Sequence, residues 1–367
     1  MVTLEDAFQL LKKLSDSFGP SAHEEEVRQI IIEELEKTCD KVMVDRWGNV
    51  YGIRNGKTDN KLMIAAHMDE IGLIIDKIEK NGFLRFRPIG GWTEQALISQ
   101  RVVIRNIKGE KIIGVIGVRP PHATPPGEER KLPEIKDMYI DVGARSREEV
   151  EEMGIRPGCV AVLERYLTRL GKKLVTGKAL DNRAGVAAML LALKMLEREE
   201  PYMTIYAVAT VQEEIGLRGA GIAAEKVNPT LAIALDTTIA LDVPGVPERE
   251  HTIKLGAGPA IKVMDGGRLG MFIAHRAVRE FLIEVAESEK IPYQLEILLG
   301  GTTDATAIAF RREGIPAGGI AIPTRYVHSS VETLDLEDLL NTAKLLSRSM
   351  IRAGPELIEK IRDVIVK

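Results

Sequence analysis

Cysteine is nearly absent. Cys39 and Cys159 are the only two in 367 residues, and neither sits in a C-x-x-C pair. That excludes a disulfide framework and leaves both as buried thiols. Long apolar runs are also missing. The best, residues 184–196, carries Lys194 and falls short of the roughly 20 residues that span a bilayer. There is no excess of basic residues: the net charge is -4, which argues against a general nucleic-acid binder. Short clusters such as Lys172-Lys173 read as solvated surface. The N-terminus lacks the basic segment and apolar core of a signal peptide. Leu4, Phe8, Leu11 and Leu14 instead predict an amphipathic helix, and a cytoplasmic location is expected. Repeats and low-complexity tracts are absent.

What is present alternates. Ser21-Ala22-His23-Glu24 has the S-x-x-E form of a capping box, opening a helix with Val27, Ile30, Ile31 and Leu35 on one face. Residues 62–66 are a continuous apolar run suited to a strand covered on both sides. From about 71 to 165 the texture becomes short strands between Gly and Pro turns, with an irregular tract at 120–127, which predicts an inserted β-rich domain. After residue 177 the alternation returns. Helices are predicted at 183–198, 272–289, 306–313 and 335–351, and strands at 204–211, 231–235, 294–298 and 318–322. This predicts an α/β fold, a mostly parallel sheet flanked by helices.

Sites on such sheets form beyond the carboxyl ends of the strands. Here those ends carry ionisable residues: His67-Met68-Asp69-Glu70, then Glu213-Glu214, then Asp236, with His328 a loop beyond another strand and Asp181 at a helix start. Each has a plain reading of its own. Asp181 could cap a helix, Asp236 could belong to a turn, and Glu213-Glu214 could be solvated. Together, two His and several carboxylates without Cys suit zinc, cobalt or manganese. They are enough for two cations sharing a carboxylate, an arrangement that lowers the pKa of a shared water. Asp69, two residues from His67, leaves the strand on the same face and could fix the imidazole tautomer. Gly300-Gly301-Thr302-Thr303-Asp304 reads equally as a loop whose amides hold a carbonyl and as a tight turn with an N-cap. His23, His122, His251 and His275 read as capping, loop or surface residues.

The strings 65–70, 179–183, 212–220, 235–236, 300–305 and 326–330 together resemble peptidase family forty-two, the tetrahedral (TET) aminopeptidases of archaea and bacteria. The likeness keeps motif order over nearly the whole chain. It implies a phosphorylase/hydrolase-like metallopeptidase domain at 1–70 and 165–367, and a PDZ-like dimerisation domain at 71–164. It also implies a function: releasing N-terminal residues from peptides with two divalent metal ions per subunit, zinc or cobalt, with manganese admissible. His67 and Asp236 would hold one ion, Glu214 and His328 the other, and Asp181 would bridge them. Glu213 would be the general base and acid, and Asp69 would orient His67. The peptide bond after Asp181 would be cis. The implied partners are peptides and other copies of the chain, in a dodecamer built from dimers, with no nucleic acid or membrane. One departure is Thr302, where the family often has a third Gly.

Three rival readings stand beside this one. A two-metal deacylase or carboxypeptidase of related fold usually carries its insertion late, whereas here it falls between His67 and Asp181. A glycosidase would need two carboxylates set across a sugar and gives no role to two His. A shell protein would assemble without metal-dependent turnover.

Overall fold

In a computed structural model, residues 2–123, 132–197, 199–250, 252–267 and 270–366 are described. The 120–127 tract is therefore only partly covered, and His251 lies outside the described residues.

Residues outside the β-rich insertion form one large sheet between two helical layers. Its centre is four parallel strands in the order Met203–Thr210, Thr58–His67, Leu231–Ile239, Ala317–Arg325. Alternation along them builds both layers. Leu62, Ile64 and Ala66 face one core with Leu180, Ala184, Leu191 and Leu346, whereas Met63 and Ala65 face the other with Ala220, Ala224 and Ile308. The first layer is built on Leu180–Leu196 and Leu336–Arg352, the second on Arg218–Val227 and Asp304–Ala309.

Parallel pairing holds for this centre and for one pair in a branch, Ala260–Gly267 with Gln294–Leu299. Antiparallel strands flank the centre on both sides, Lys41–Val44 and Val50–Arg54 on one, Glu332–Asp335, Leu174–Gly177 and Thr168–Leu170 on the other. A branch from Ala260–Gly267 adds Gly270–Ile273 and Gln294–Leu299. The reason is connection length. Short turns such as 45–49 can join only antiparallel neighbours, because a parallel pair needs a long crossover.

Four local expectations change. The helix expected at 272–289 is a strand, Gly270–Ile273, followed by Arg276–Ser288. The one expected at 306–313 is the short Asp304–Ala309. The C-terminal helix is followed by another, Pro355–Val366, after a break at Gly354. The capping box does not form. The helix is Glu25–Leu35, its N-cap Glu24 makes no side-chain cap bond, and the Ser21 hydroxyl donates to Asp69 Oδ2 at 2.6 Å. The hydroxyl whose oxygen would accept a helix amide is instead turned to donate to a buried carboxylate, a charge-assisted bond stronger than the cap.

The inserted segment is a closed barrel of six strands between Gly72–Ile78 and Val160–Leu163, with its own core of Leu73, Ile75, Leu84, Phe86, Val102, Ile104 and Ile140. Within it the Trp92 indole N–H donates to Gly72 O at 2.9 Å. No helix among the described residues is long and apolar enough to cross a membrane.

Candidate metal centre

Strand register brings the first residues together. Ala65 on one strand pairs with Ala234 on the next, so two residues further along each, on the same face, stand His67 and Asp236. His67 Nε2 is 3.7 Å from Asp236 Oδ1. The third strand ends beside them, with Thr210 opposite His67. Beyond it Gln212 takes a left-handed conformation, φ 55°. The chain bends there, and two successive carboxylates both enter the site: Glu213 Oε2 lies 3.9 Å from His67 Nε2, and Glu214 Oε2 lies 3.3 Å from His328 Nε2.

Asp69 holds that bend. Its carboxylate, fully buried, accepts the amides of Glu213 (3.0 Å) and Glu214 (3.3 Å). It also lies 3.5 Å from His67 Nδ1, while its backbone carbonyl is 3.2 Å from the same nitrogen. So it touches the imidazole as expected and also fixes the Glu213-Glu214 backbone, which sequence spacing did not reveal.

Asp181 is not the helix cap. Asn182 fills that position instead. Its Oδ1 accepts the Gly185 amide at 2.9 Å, and its Nδ2 donates to Leu235 O at 2.8 Å. A Cβ at position 185 would come within 2.1 Å of that oxygen, so glycine is required. Asp181 and Asn182 break helical geometry, and the bond between them is cis, as the resemblance implies. The Asp181 carboxylate thereby faces the cavity, Oδ1 at 3.3 Å from His67 Nε2 and Oδ2 at 3.5 Å from His328 Nε2. One oxygen is turned to each half of the site.

All seven residues singled out from the sequence thus converge on one cavity region. Two triads stand out, each with donor atoms within 4.8 Å of one another: His67, Asp181, Glu214 and His67, Glu213, Asp236. The cavity holds about 540 Å³ and is walled by Gly91, Trp92 and Thr93 of the barrel, by Thr237–Ile239, by Leu298, and by the Gly300–Thr303 loop. The amide of Gly300 in that loop is spent on Gly266 O, and Thr303 Oγ1 donates to Asp265 and accepts no amide from the helix that follows. Of the other histidines, His275 is an N-cap residue without a side-chain cap bond, and His122 is exposed.

The charges are unbalanced as they stand. Burial works against a proton on His67, but Glu213, Asp181, Asp236 and Asp69 outweigh it and hold the imidazole well above its usual range. Burial is likewise overcome at His328, which Glu214 and Asp181 push up to about 12. Burial raises the carboxyls of Glu213, Glu214 and Asp236, each further raised by a neighbouring carboxylate. Asp181 goes the other way: burial is overcome by its contacts with both imidazoles. The imidazoles stand in for cations.

The donor set fits divalent metal ions. Asp181 Oδ1 and Glu214 Oε1 are buried without hydrogen-bond partners, and such groups are rare unless an ion or water satisfies them. His nitrogen and carboxylate oxygen are the ligand types that zinc, cobalt and manganese share.

Sequence reasoning missed the layer behind these residues. Glu70 binds Lys178 through both oxygens at 2.9 and 2.8 Å and lies 3.5 Å from Arg183. Lys178 and Arg183 also donate to Ser17 and Leu14 carbonyls, tying both ligand loops to the first helix. Position was the available signal, since charges flanking an Asp-Asn pair and following His-x-Asp seldom stay solvated when those residues are buried.

Residues 48–345 match the family described as M42 glutamyl aminopeptidase. An aminopeptidase from the archaeon Desulfurococcus kamchatkensis is 49% identical, with 99% of both chains covered and a TM-score of 0.94. The lysyl aminopeptidase of Pyrococcus furiosus is 39% identical over 92% of this chain and 95% of its own. The TET1 peptidase of Pyrococcus horikoshii, which can assemble into a tetrahedron or a large octahedral shell, is 34% identical over 94% of this chain and 99% of its own, with a TM-score of 0.83.

Proposed function

The chain belongs to the M42 glutamyl aminopeptidase family, a family of peptide hydrolases, and from that membership and the geometry above we propose how its site works. His67, Asp236 and Asp181 would hold one divalent ion, and Asp181, Glu214 and His328 a second. Such ions would supply a water of lowered pKa and polarise a carbonyl. The chain's own residues do the rest. Glu213 takes the proton of the attacking water and delivers it to the departing amine. Asp69 keeps His67 in one tautomer and keeps Glu213 and Glu214 aimed inward. The observation that carries this reading is Asp181, whose two oxygens face the two imidazoles at 3.3 and 3.5 Å. Zinc or cobalt suits the set, and manganese is admissible. The barrel takes the part of a PDZ-like dimerisation domain at 71–164, the remainder being the catalytic domain. The working form is a cytoplasmic homo-oligomer, a dodecamer built from dimers.

The pocket wall also bears on the substrate. Its cation, Lys262, is 2% exposed and already matched by Asp265 at 2.8 Å and Glu296 at 2.7 Å. The neighbouring wall is Thr237, Thr238, Ile239 and Leu298, hydroxyls and apolar groups. Among the described residues a charged N-terminal side chain finds no free partner there, and an unpaired charge is costly to bury. Aminoacyl substrates should therefore rank leucyl above both glutamyl and lysyl by at least about tenfold in kcat/KM, the scale on which single pocket contacts discriminate. Acetylating the amine of a good substrate should abolish turnover. Cleavage of the blocked peptide, or release from the C-terminus, would refute the aminopeptidase reading. A preference for glutamyl substrates would refute the pocket assignment alone.

A further inference from the structure

Glu332 is 1% exposed and has no ammonium or guanidinium partner among the described ion pairs. It opens the strand Glu332–Asp335, opposite Gly177, so it sits between the loop that carries Asp181 and the loop that carries His328. Its two oxygens are divided between them. Oε2 accepts the backbone amide of Asp181 at 3.0 Å, and Oε1 accepts the backbone amide of His328 at 2.8 Å. Neither amide has another partner in regular structure. Asp181 has φ -75° and ψ 107° inside a helix, and His328 is left-handed at φ 61°. A buried carboxylate without a countercharge is expensive, and its persistence here needs a compensating role.

We propose that Glu332 is a positioning residue that sets the separation of Asp181 and His328 through their backbone amides, and thereby the affinity of the ion position on the His328 side. The proposal rests on the reading of Asp181 and His328 as ligands. Asp69 shows the same device on the other strand, one carboxylate accepting two successive ligand-loop amides. What differs is span: Glu332 joins residues 181 and 328, which no ladder hydrogen bond connects directly.

A carboxylate accepts on both oxygens, whereas a carboxamide accepts on one and presents a donor on the other. Glu332→Gln therefore turns one clamp into a donor–donor clash. By chelator competition with zinc, and by the visible absorption of the cobalt-loaded protein, the variant should lose little affinity at its first ion, which His67 and Asp236 also hold. Its second should bind about 10- to 100-fold more weakly, the range seen when groups behind metal ligands are lost. Excess metal should restore kcat with KM little changed. Equal affinities for both ions in a folded Glu332→Gln protein would overturn the proposal. If that variant does not fold, Glu332→Asp, which keeps both acceptors one methylene shorter, must show the same selective loss. Loss at both ions alike, no loss, or failure to fold would each reduce Glu332 to a structural residue. His328→Ala is the control: if it keeps two ions at wild-type affinity, the ligand assignment fails rather than the role of Glu332.

Discussion

Replacing Glu213 by Gln is expected to lower kcat by about 10²- to 10⁴-fold, the usual contribution of a positioned acid–base group, with both ions retained and KM little changed. The side chain is 11% exposed, and its oxygen is 3.9 Å from His67 Nε2. Burial holds its carboxyl well above the ordinary carboxylate range. His67 opposes that rise, while Asp236 and Glu214 add to it. A carboxyl so raised can hold a proton between taking it from water and giving it up. Gln keeps the shape and removes this capacity. The measurement is steady-state kinetics beside metal analysis of the same sample. Unchanged turnover would remove Glu213 from the chemistry. Loss of an ion together with turnover would place it among the ligands, an outcome the His67, Glu213, Asp236 triad makes specific.

Stripping divalent ions is expected to abolish turnover and lower the melting temperature, by an amount that grows as pH rises from about 5 to 8. Two buried carboxyls fix the sign. Burial pushes Asp304 up to about 7 from 3.8, and Glu24, with Asp69 nearby, up to about 7 from 4.5. Between the lower and upper values of each, the folded chain holds a proton that the unfolded chain has released. Folded stability therefore falls as pH rises through that window. The raised imidazoles act in the same direction, whereas Asp181, lowered, acts only at pH values below this window. Cations neutralise the cluster, so the metal-replete protein should show a flatter profile. One ion at 100 times its Kd adds about 2.7 kcal/mol, enough to read by scanning fluorimetry. Zinc, cobalt or manganese should restore activity. A metal-free protein that gains stability over this range would contradict the charge assignment.

The sequence carried the site further than the fold. Continuous apolar strands ending in His67, Glu213-Glu214 and Asp236 could be read because a strand buried on both faces has one strong composition and an abrupt end. Asp181 could not be told from a helix cap without knowing that Asn182 bonds Gly185 and Leu235. The antiparallel wing at 168–170, 174–177 and 332–335 was missed because these short strands have no run long enough to show period two. The helix Arg218–Val227 was hidden by Gly219 and Gly221, poor helix formers that tertiary packing overrides. Ser21 matched a capping motif whose hydroxyl went to a partner 48 residues away. Partners of that separation, like Glu332 and the Asp181 amide 151 residues away, are decided by tertiary structure.

The most direct measurement is anomalous diffraction from crystals grown with zinc and then with cobalt. The account requires two peaks about 3.5–4 Å apart, the spacing of a shared-water pair. One should lie against His67 and Asp236, the other against His328 and Glu214, with Asp181 between them. A single peak, or ions bound away from Asp181, would contradict it.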